Sequence, residues 1–362
     1  MNQQTQKTST QKTRKSAPNQ LTIGIDLGDK WSHYCILDEE AKVVEEGRFR
    51  TVARSVEKHF QGMPSARIAL EAGTHSIWIS QQLQDYGHEV LVANVTELHA
   101  IVRNINKSDQ VDAEKLARYA RLDPKILRPI THRSVEAQQA LMMVRARNVL
   151  VRMRVVAVNA VRGLVKPCGH RLPPCSTPSF AQRSIAVLPP ELLSILRPLL
   201  EQIQGMSEQI RVYDRQILEL SRNQYPETKI LETVNGVGNL TAITYVLTIY
   251  DPHRFPKSRD VGCYLGLRPR RDQSGDHDPQ LGITKAGNGY LRKLLTEAAN
   301  YILGPFGKDS ALRRWGQSLA ARGGKNARKR AVVAIARKLA VLLHHLWVTQ
   351  QPYQPFYGAA AA

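Results

Sequence analysis

Cysteine is scarce in this chain. Cys35, Cys168, Cys175 and Cys263 are the only four in 362 residues, which is no disulfide framework and fits a reducing compartment. Long apolar runs are missing as well. The best candidate, Val332 to Trp347, is broken by Arg337, Lys338 and the paired His344 and His345, which argues against a membrane span. The first twenty residues have no apolar stretch of the kind that marks secretion, so a cytoplasmic protein is expected. Acids are the minority charge: 31 Asp and Glu stand against 51 Lys and Arg, a formal charge of +20. Such an excess on a soluble chain favours a polyanionic partner, nucleic acid first, because each neutralised phosphate releases counterions. A merely basic surface is the plain alternative. With 42% hydrophobic residues the chain can bury a core, which excludes collagen-like or wholly disordered classes, and its length suggests two or three domains.

The charge is unevenly spread. Residues 1–20 carry Lys7, Lys12, Arg14 and Lys15 and no acid, and read as a disordered basic arm. From Leu21 three short β-rich runs (21–27, 31–37 and 42–49) form a meander. A helix over 51–62, a fourth run at 66–70, a helix over 76–86, a fifth strand at 89–93 and a helix from Asp109 follow. The order β-β-β-α-β-α-β-α predicts a mixed sheet covered by helices. Residues 137–190 contain no acid. Their first part, to about 165, is a long helix in which Arg145, Arg147, Arg152 and Arg154 interleave with Leu141, Val144, Val151 and Val158. The rest, 166–190, is rich in Pro and Ser and reads as an irregular loop. Cys168, His170 and Cys175 within it are one ligand short of a structural zinc site. Beyond Pro198, Leu199, Ile203, Met206, Ile210, Tyr213, Ile217 and Leu220 keep heptad spacing. They call for a coiled coil between copies or for packing on the preceding helix. Gly236-Val237-Gly238 separates two helical patterns, either as a phosphate-approaching hairpin or as a simple break. Residues 308–338 hold ten basic residues, Arg328, Lys329 and Arg330 among them, and one acid, Asp309.

Four carboxylates stand out from this background. Asp26 lies inside the first apolar strand and Glu71 directly follows the fourth; an ionised acid in such a setting is costly unless a cation compensates it. Asp109 and Asp112 are three apart on a helix, so they point the same way. With strand one beside strand four and the last helix packed across both, the four can converge. Oxygen ligands of this kind suit Mg²⁺ or Mn²⁺, and a pair of such ions can clamp both oxygens of a phosphodiester displacement. Taken singly, each acid could be a solvated surface residue.

D-x-G on strand one, E after strand four and S-D-x-x-D-A-E-K-L-A on the last helix resemble the RNase H/RuvC-like domain of the DEDD insertion-sequence transposases. That is the Piv-type family, described as bridge-RNA-guided recombinases. The second half of the family pattern is present too: Leu265-Gly266-Leu267-Arg268-Pro269, then Gln273-Ser274-Gly275, then Ile283-Thr284-Lys285-Ala286-Gly287-Asn288 and Leu291-Arg292. The resemblance spans roughly residues 21–347. It implies a metal-binding tetrad at Asp26, Glu71, Asp109 and Asp112, and a nucleophilic serine at Ser274. It also implies donor and target DNA, a non-coding guide RNA, and a composite site in a homo-oligomer, dimer or tetramer, in a bacterial, nucleoid-associated setting. The expected layout is α/β plus α. A basic arm (1–20) precedes a RuvC-like catalytic domain (21–130) and a helical coiled-coil region with a basic loop (131–228). A mainly helical C-terminal transposase domain (229–347) and a tail (348–362) follow. Arg268, Arg270, Arg271, Lys285 and Arg292 supply positive charge around Ser274, as phosphoryl transfer requires. Two other readings remain open on sequence: a RuvC-like nuclease that uses water and no serine, and a non-catalytic nucleic-acid binder.

Overall fold

In the computed structural model of the chain, residues 21–94, 109–279 and 281–356 are described; the basic arm expected over 1–20 lies outside them. The chain divides into two compact units, the first ending at Arg133 and the second beginning at Ser134.

The first unit is built on strands β1 (Thr22–Asp26), β2 (Trp31–Leu37), β3 (Val43–Arg50), β4 (Arg67–Glu71) and β5 (Glu89–Ala93), in the sheet order β3-β2-β1-β4-β5. The first three strands form the antiparallel meander, and β1, β4 and β5 run parallel. Side chains alternate between faces along a strand, and the sequence uses the two faces differently. Ile23, Ile25, Ile68 and Leu70 all point to one face with 0% exposure, where they meet Val56 and Phe60 of α1 (Ala53–Phe60) and Ile79 and Leu83 of α2 (Ser76–Asp85). Each of these large apolar side chains contributes roughly 1.5–3 kcal/mol by leaving water. The opposite face is lined with small residues, Gly24 and Ala69 among them. Helix α3 (Asp109–Leu122) lies directly on it through Ala113, Ala117 and Ala120.

Gly24 is what allows this approach. A Cβ there would stand 1.9 Å from the carbonyl oxygen of Ala113 and 2.5 Å from the amide of Ala117, so only hydrogen fits. The sheet order and its covering helices make the unit RNase H-like, as expected.

The second unit is helical. Helix α4 (Val135–Leu164) starts at a Ser134 N-cap and pairs with α6 (Pro190–Gln224). Leu141, Val144, Ile203, Ile210 and Ile217 are buried along them. The heptad seam is therefore occupied within the chain, by packing on the preceding helix. Two expectations change here. Helix α6 begins at Pro190 and runs through Pro198; a proline removes one hydrogen bond from a helix interior, and the long apolar face of α6 outweighs that loss. The segment 166–190, read as loop, contains α5 (Phe180–Ile185), anchored by a fully buried Phe180 that Arg162 covers with its guanidinium 4.9 Å from the ring centre.

The remainder gathers α7 (Thr228–Leu231), α8 (Asn239–Ile249), α9 (Arg259–Tyr264), α10 (Gly289–Leu303) and α11 (Ala311–Ala321) around α12 (Ala327–Thr349). By length and composition α12 could cross a membrane. Ile335, Leu339 and Leu343 are nevertheless fully buried at the centre of this helical core, and the Tyr245 hydroxyl donates to the Ala340 carbonyl at 2.7 Å.

Candidate active site

Asp26 ends β1 and Glu71 ends β4. These strands are parallel neighbours with Ile25 opposite Leu70, so one residue further on the two carboxylates leave the sheet side by side. Gly24 and Asp26 share a face by the two-residue period, as do Ala69 and Glu71. The helix clamped onto Gly24 is thus the one whose first turn must overhang the acids. That turn carries Asp109 and Asp112, placed where the partial positive charge of a helix start favours anions. One Asp109 carboxylate oxygen lies 3.6 Å from His33 Nδ1, and Asp112 takes an ion pair from Lys115 Nζ at 3.1 Å.

The strongest sign that the four belong together is electrostatic. The Asp26 carboxyl is pushed up from the ordinary 3.8 to about 6, first by burial and then by the charges of Glu71, Asp109 and Asp112; His33 pulls the other way. Among the described residues no three acidic, cysteine or histidine side chains close into a ready-made metal cage. The donor chemistry fits a hard divalent cation nonetheless: four carboxylates, one of them with its pKa raised by burial and then by the charges of the others, carry the negative charge such an ion neutralises. His33 was not singled out from sequence. It faces Asp26 across the β1–β2 hairpin, and only the register reveals it.

Ser274 belongs to a different kind of element. Residues 268–279 and 281–284 form a hairpin-like arm, tied at its base by Thr284 N–H to the Arg268 carbonyl and Arg270 N–H to the Gly282 carbonyl, both 2.9 Å. At the tip Ser274 and His277 exchange backbone hydrogen bonds of 3.1 Å around Gly275, whose φ is +56°. Ser274, His277, Arg268, Arg270, Arg271 and Lys285 are exposed, and Arg271 reaches Asp278 at 3.2 Å.

The block that follows Ser274 has a structural explanation. Lys285 (φ +59°) and Gly287 (φ +67°) turn the chain sharply. Asn288 caps α10 by accepting from the amides of Tyr290 and Leu291. Arg292 donates to the carbonyls of Leu265 and Ala286. This motif therefore fastens the arm's base to the helical core, and Arg292 is committed to that task.

The cationic helices sort in the same way. Arg145 and Arg152 are exposed on α4, and Arg328 and Lys329 are exposed near the start of α12, followed by Arg330. Arg147 is engaged by Asp214 at 2.6 Å. Arg154, expected along phosphates, is only 8% exposed and donates to Ser207 between the helices, so it lies in the interior. Cys175 accepts a long contact from Arg162, and no metal group forms around Cys168, His170 and Cys175 among the described residues.

An RNase H-like unit with clustered carboxylates at its strand ends defines a class of nucleic-acid phosphoryl-transfer scaffolds. Within that class, the chain belongs to the IS110/IS116/IS902 transposase family. The DEDD transposase model of the IS110 group matches residues 23–168, and the model described as "Transposase IS116/IS110/IS902 family" matches residues 228–306. The chain is 30% identical over 316 residues to a putative transposase, y4pF/y4sB, of Sinorhizobium fredii, covering 85% of this chain and 79% of that one. It is 26% identical over 354 residues to the transposase for insertion sequence element IS1111A of Coxiella burnetii, covering 95% and 94%. A pilin gene-inverting protein of Moraxella bovis is 22% identical over 346 residues, covering 91% and 97%. The chain is thus a DEDD-type transposase, an enzyme of DNA transposition and recombination.

Proposed function

We propose that the chain recombines donor and target DNA through a phosphoserine intermediate on Ser274, with Asp26, Glu71, Asp109 and Asp112 as the carboxylate centre and a non-coding RNA selecting the sites. The observation that carries the reading is geometric: Asp26 and Glu71 end neighbouring parallel strands, and the helix packed on Gly24 of that sheet bears Asp109 and Asp112 in its first turn. In this scheme the carboxylates hold Mg²⁺ or Mn²⁺, which when bound offsets the charge that develops on the phosphoryl oxygens. The Ser274 hydroxyl gives up its proton to a carboxylate of the cluster, and its Oγ bonds to phosphorus. The strand's ester oxygen departs and is protonated as a free hydroxyl. A hydroxyl from the partner strand then attacks the phosphoserine, takes over the phosphorus and returns Ser274 to its starting state, so no water is consumed.

Arg268, Arg270, Arg271 and Lys285, exposed on the arm that carries the serine and at its base, suit an incoming phosphate. Arg145, Arg152, Arg328, Lys329 and Arg330 are further contacts for DNA or guide RNA. The exposed tip that carries Ser274 suits a centre completed between protomers of a dimer or tetramer, in a nucleoid-associated enzyme.

The test is a protein–DNA adduct on a denaturing gel after incubation with element-end DNA, the cognate RNA and Mg²⁺. The adduct is expected from the intact protein and absent with Ser274→Ala or a chelator. Strand cleavage that persists in Ser274→Ala would replace this mechanism with hydrolysis by water.

A further inference from the structure

We propose that Trp31, Arg48 and Arg50 form a landing platform for an unpaired nucleotide of the DNA strand being cut, one position away from the carboxylate centre. Strand register brings these residues together with Asp26. Asp26 of β1 stands opposite His33 of β2, His33 opposite Arg48 of β3, and Trp31 opposite Arg50. Opposed residues in an antiparallel ladder share a face, as do residues two apart on one strand. Asp26, His33, Trp31, Arg48 and Arg50 therefore lie on one face of the sheet, in two adjacent rows. It is the face that α3 covers further along β2, through Cys35 and Leu37. Trp31 is the diagonal neighbour of Asp26, a separation of about 7–8 Å.

What these residues present is unusual for a sheet rim. Trp31 is 39% exposed, and both guanidinium carbons lie over its ring, at 4.8 Å for Arg48 and 5.3 Å for Arg50. Both arginines are exposed, and among the described residues neither has a carboxylate at ion-pair distance. Two like charges drawn onto one solvent-facing indole repel each other. A phosphate between or beside them removes that repulsion, and an aromatic face with flanking cations is the arrangement that accepts an unstacked base together with its phosphate. The charge also changes sign over a short span, from the cationic rim to the acids. A strand gripped at the rim presents its next phosphate to the carboxylates and is repelled from sliding deeper without a cation.

Stacking requires a base free of its partner, so the occupant is locally single-stranded. The strand that must enter this centre is DNA, which favours DNA over RNA. This assignment rests on the reading of Asp26, Glu71, Asp109 and Asp112 as the cleavage centre, but its test does not require cleavage.

The full-length protein, in chelator, is irradiated with a fifteen-nucleotide single-stranded DNA carrying 5-iododeoxyuridine, and the cross-linked peptide is mapped by mass spectrometry. The adduct is expected on Trp31. Trp31→Ala should remove that adduct and weaken binding of the same oligonucleotide about tenfold, while Trp31→Phe, which keeps an aromatic face, should stay within about threefold. Replacing Arg48 and Arg50 together by alanine should lower the slope of log affinity against log salt by about 1–1.5. Cross-linking that maps elsewhere and is insensitive to Trp31→Ala overturns the proposal. So does a Trp31 dependence seen only with RNA of the same sequence. Failure of the serine adduct with this cross-link intact would instead count against the proposed chemistry alone.

Discussion

Asp26 and Ser274 are the two residues on which the proposed chemistry turns, and they are held in contrasting ways. Asp26 ends a strand whose one face is filled by Ile23 and Ile25 and whose other face is pressed against a helix backbone at Gly24. Ser274 tops an exposed turn secured by two backbone hydrogen bonds. The carboxylates are fixed by the core itself, so changing their geometry means disturbing the fold. The serine can be redirected at small cost to stability. A rigid charge centre paired with an adjustable nucleophile suits a reaction in which one phosphorus must be approached from more than one strand.

The contrast can be broken from either side. The largest effects are expected on activity. Ser274→Ala should abolish the covalent adduct while thermal unfolding stays within about 0.5 kcal/mol of the parent, because an exposed side chain is removed. Asp26→Ala should lower strand cleavage by on the order of a thousandfold and leave RNA binding intact in a gel-shift assay; loss of RNA binding would mean that the acid serves the fold.

Next comes Gly24→Val. Forcing a branched side chain into the Ala113 backbone should cost about 3 kcal/mol or more, read as a lowered melting temperature and early proteolysis within the first unit. A smaller effect follows from the raised pKa of Asp26. Its folded value of about 6 exceeds the ordinary 3.8, so between those values the folded chain binds more protons and stability falls as pH rises. In chelator, Asp26→Asn should therefore stabilise the protein by about 1–2 kcal/mol above pH 7, allowing for solvent screening. The gain should vanish below about pH 4, and a gain independent of pH would refute this cause. The smallest effect is that of Gly275→Ala, which places a Cβ at φ +56° and should cost about 1 kcal/mol locally. It should slow adduct formation while lowering the melting temperature by only a few degrees.

The acids were legible in the sequence because a carboxylate in an apolar strand and two carboxylates one helical turn apart are local patterns. The fold class followed from element order for a similar reason. The contributions of Gly24, His33 and Trp31 were hidden, since each depends on which residue stands opposite in a neighbouring element. Gly24 did leave a trace, as a lone glycine at the same parity as Asp26 in an otherwise branched strand. The arginines mislead by their number: Arg147, Arg154 and Arg292 look like phosphate ligands until an acid, a hydroxyl or a carbonyl claims each of them. Nothing in spacing alone separates these from Arg145 or Arg270. Heptad spacing likewise cannot say whether a seam closes on its own chain.

The pairing of α4 with α6 also sets a length scale. Helix α6 has 35 residues, about 52 Å at 1.5 Å per residue, the rise of roughly fifteen base pairs. Along α4, the exposed Arg145 and Arg152 stand seven positions apart, about 10 Å or some three base pairs of rise. A phosphate backbone lying along this rod would meet both cations from one side, because seven residues return to within about 20° of the same direction around the helix axis.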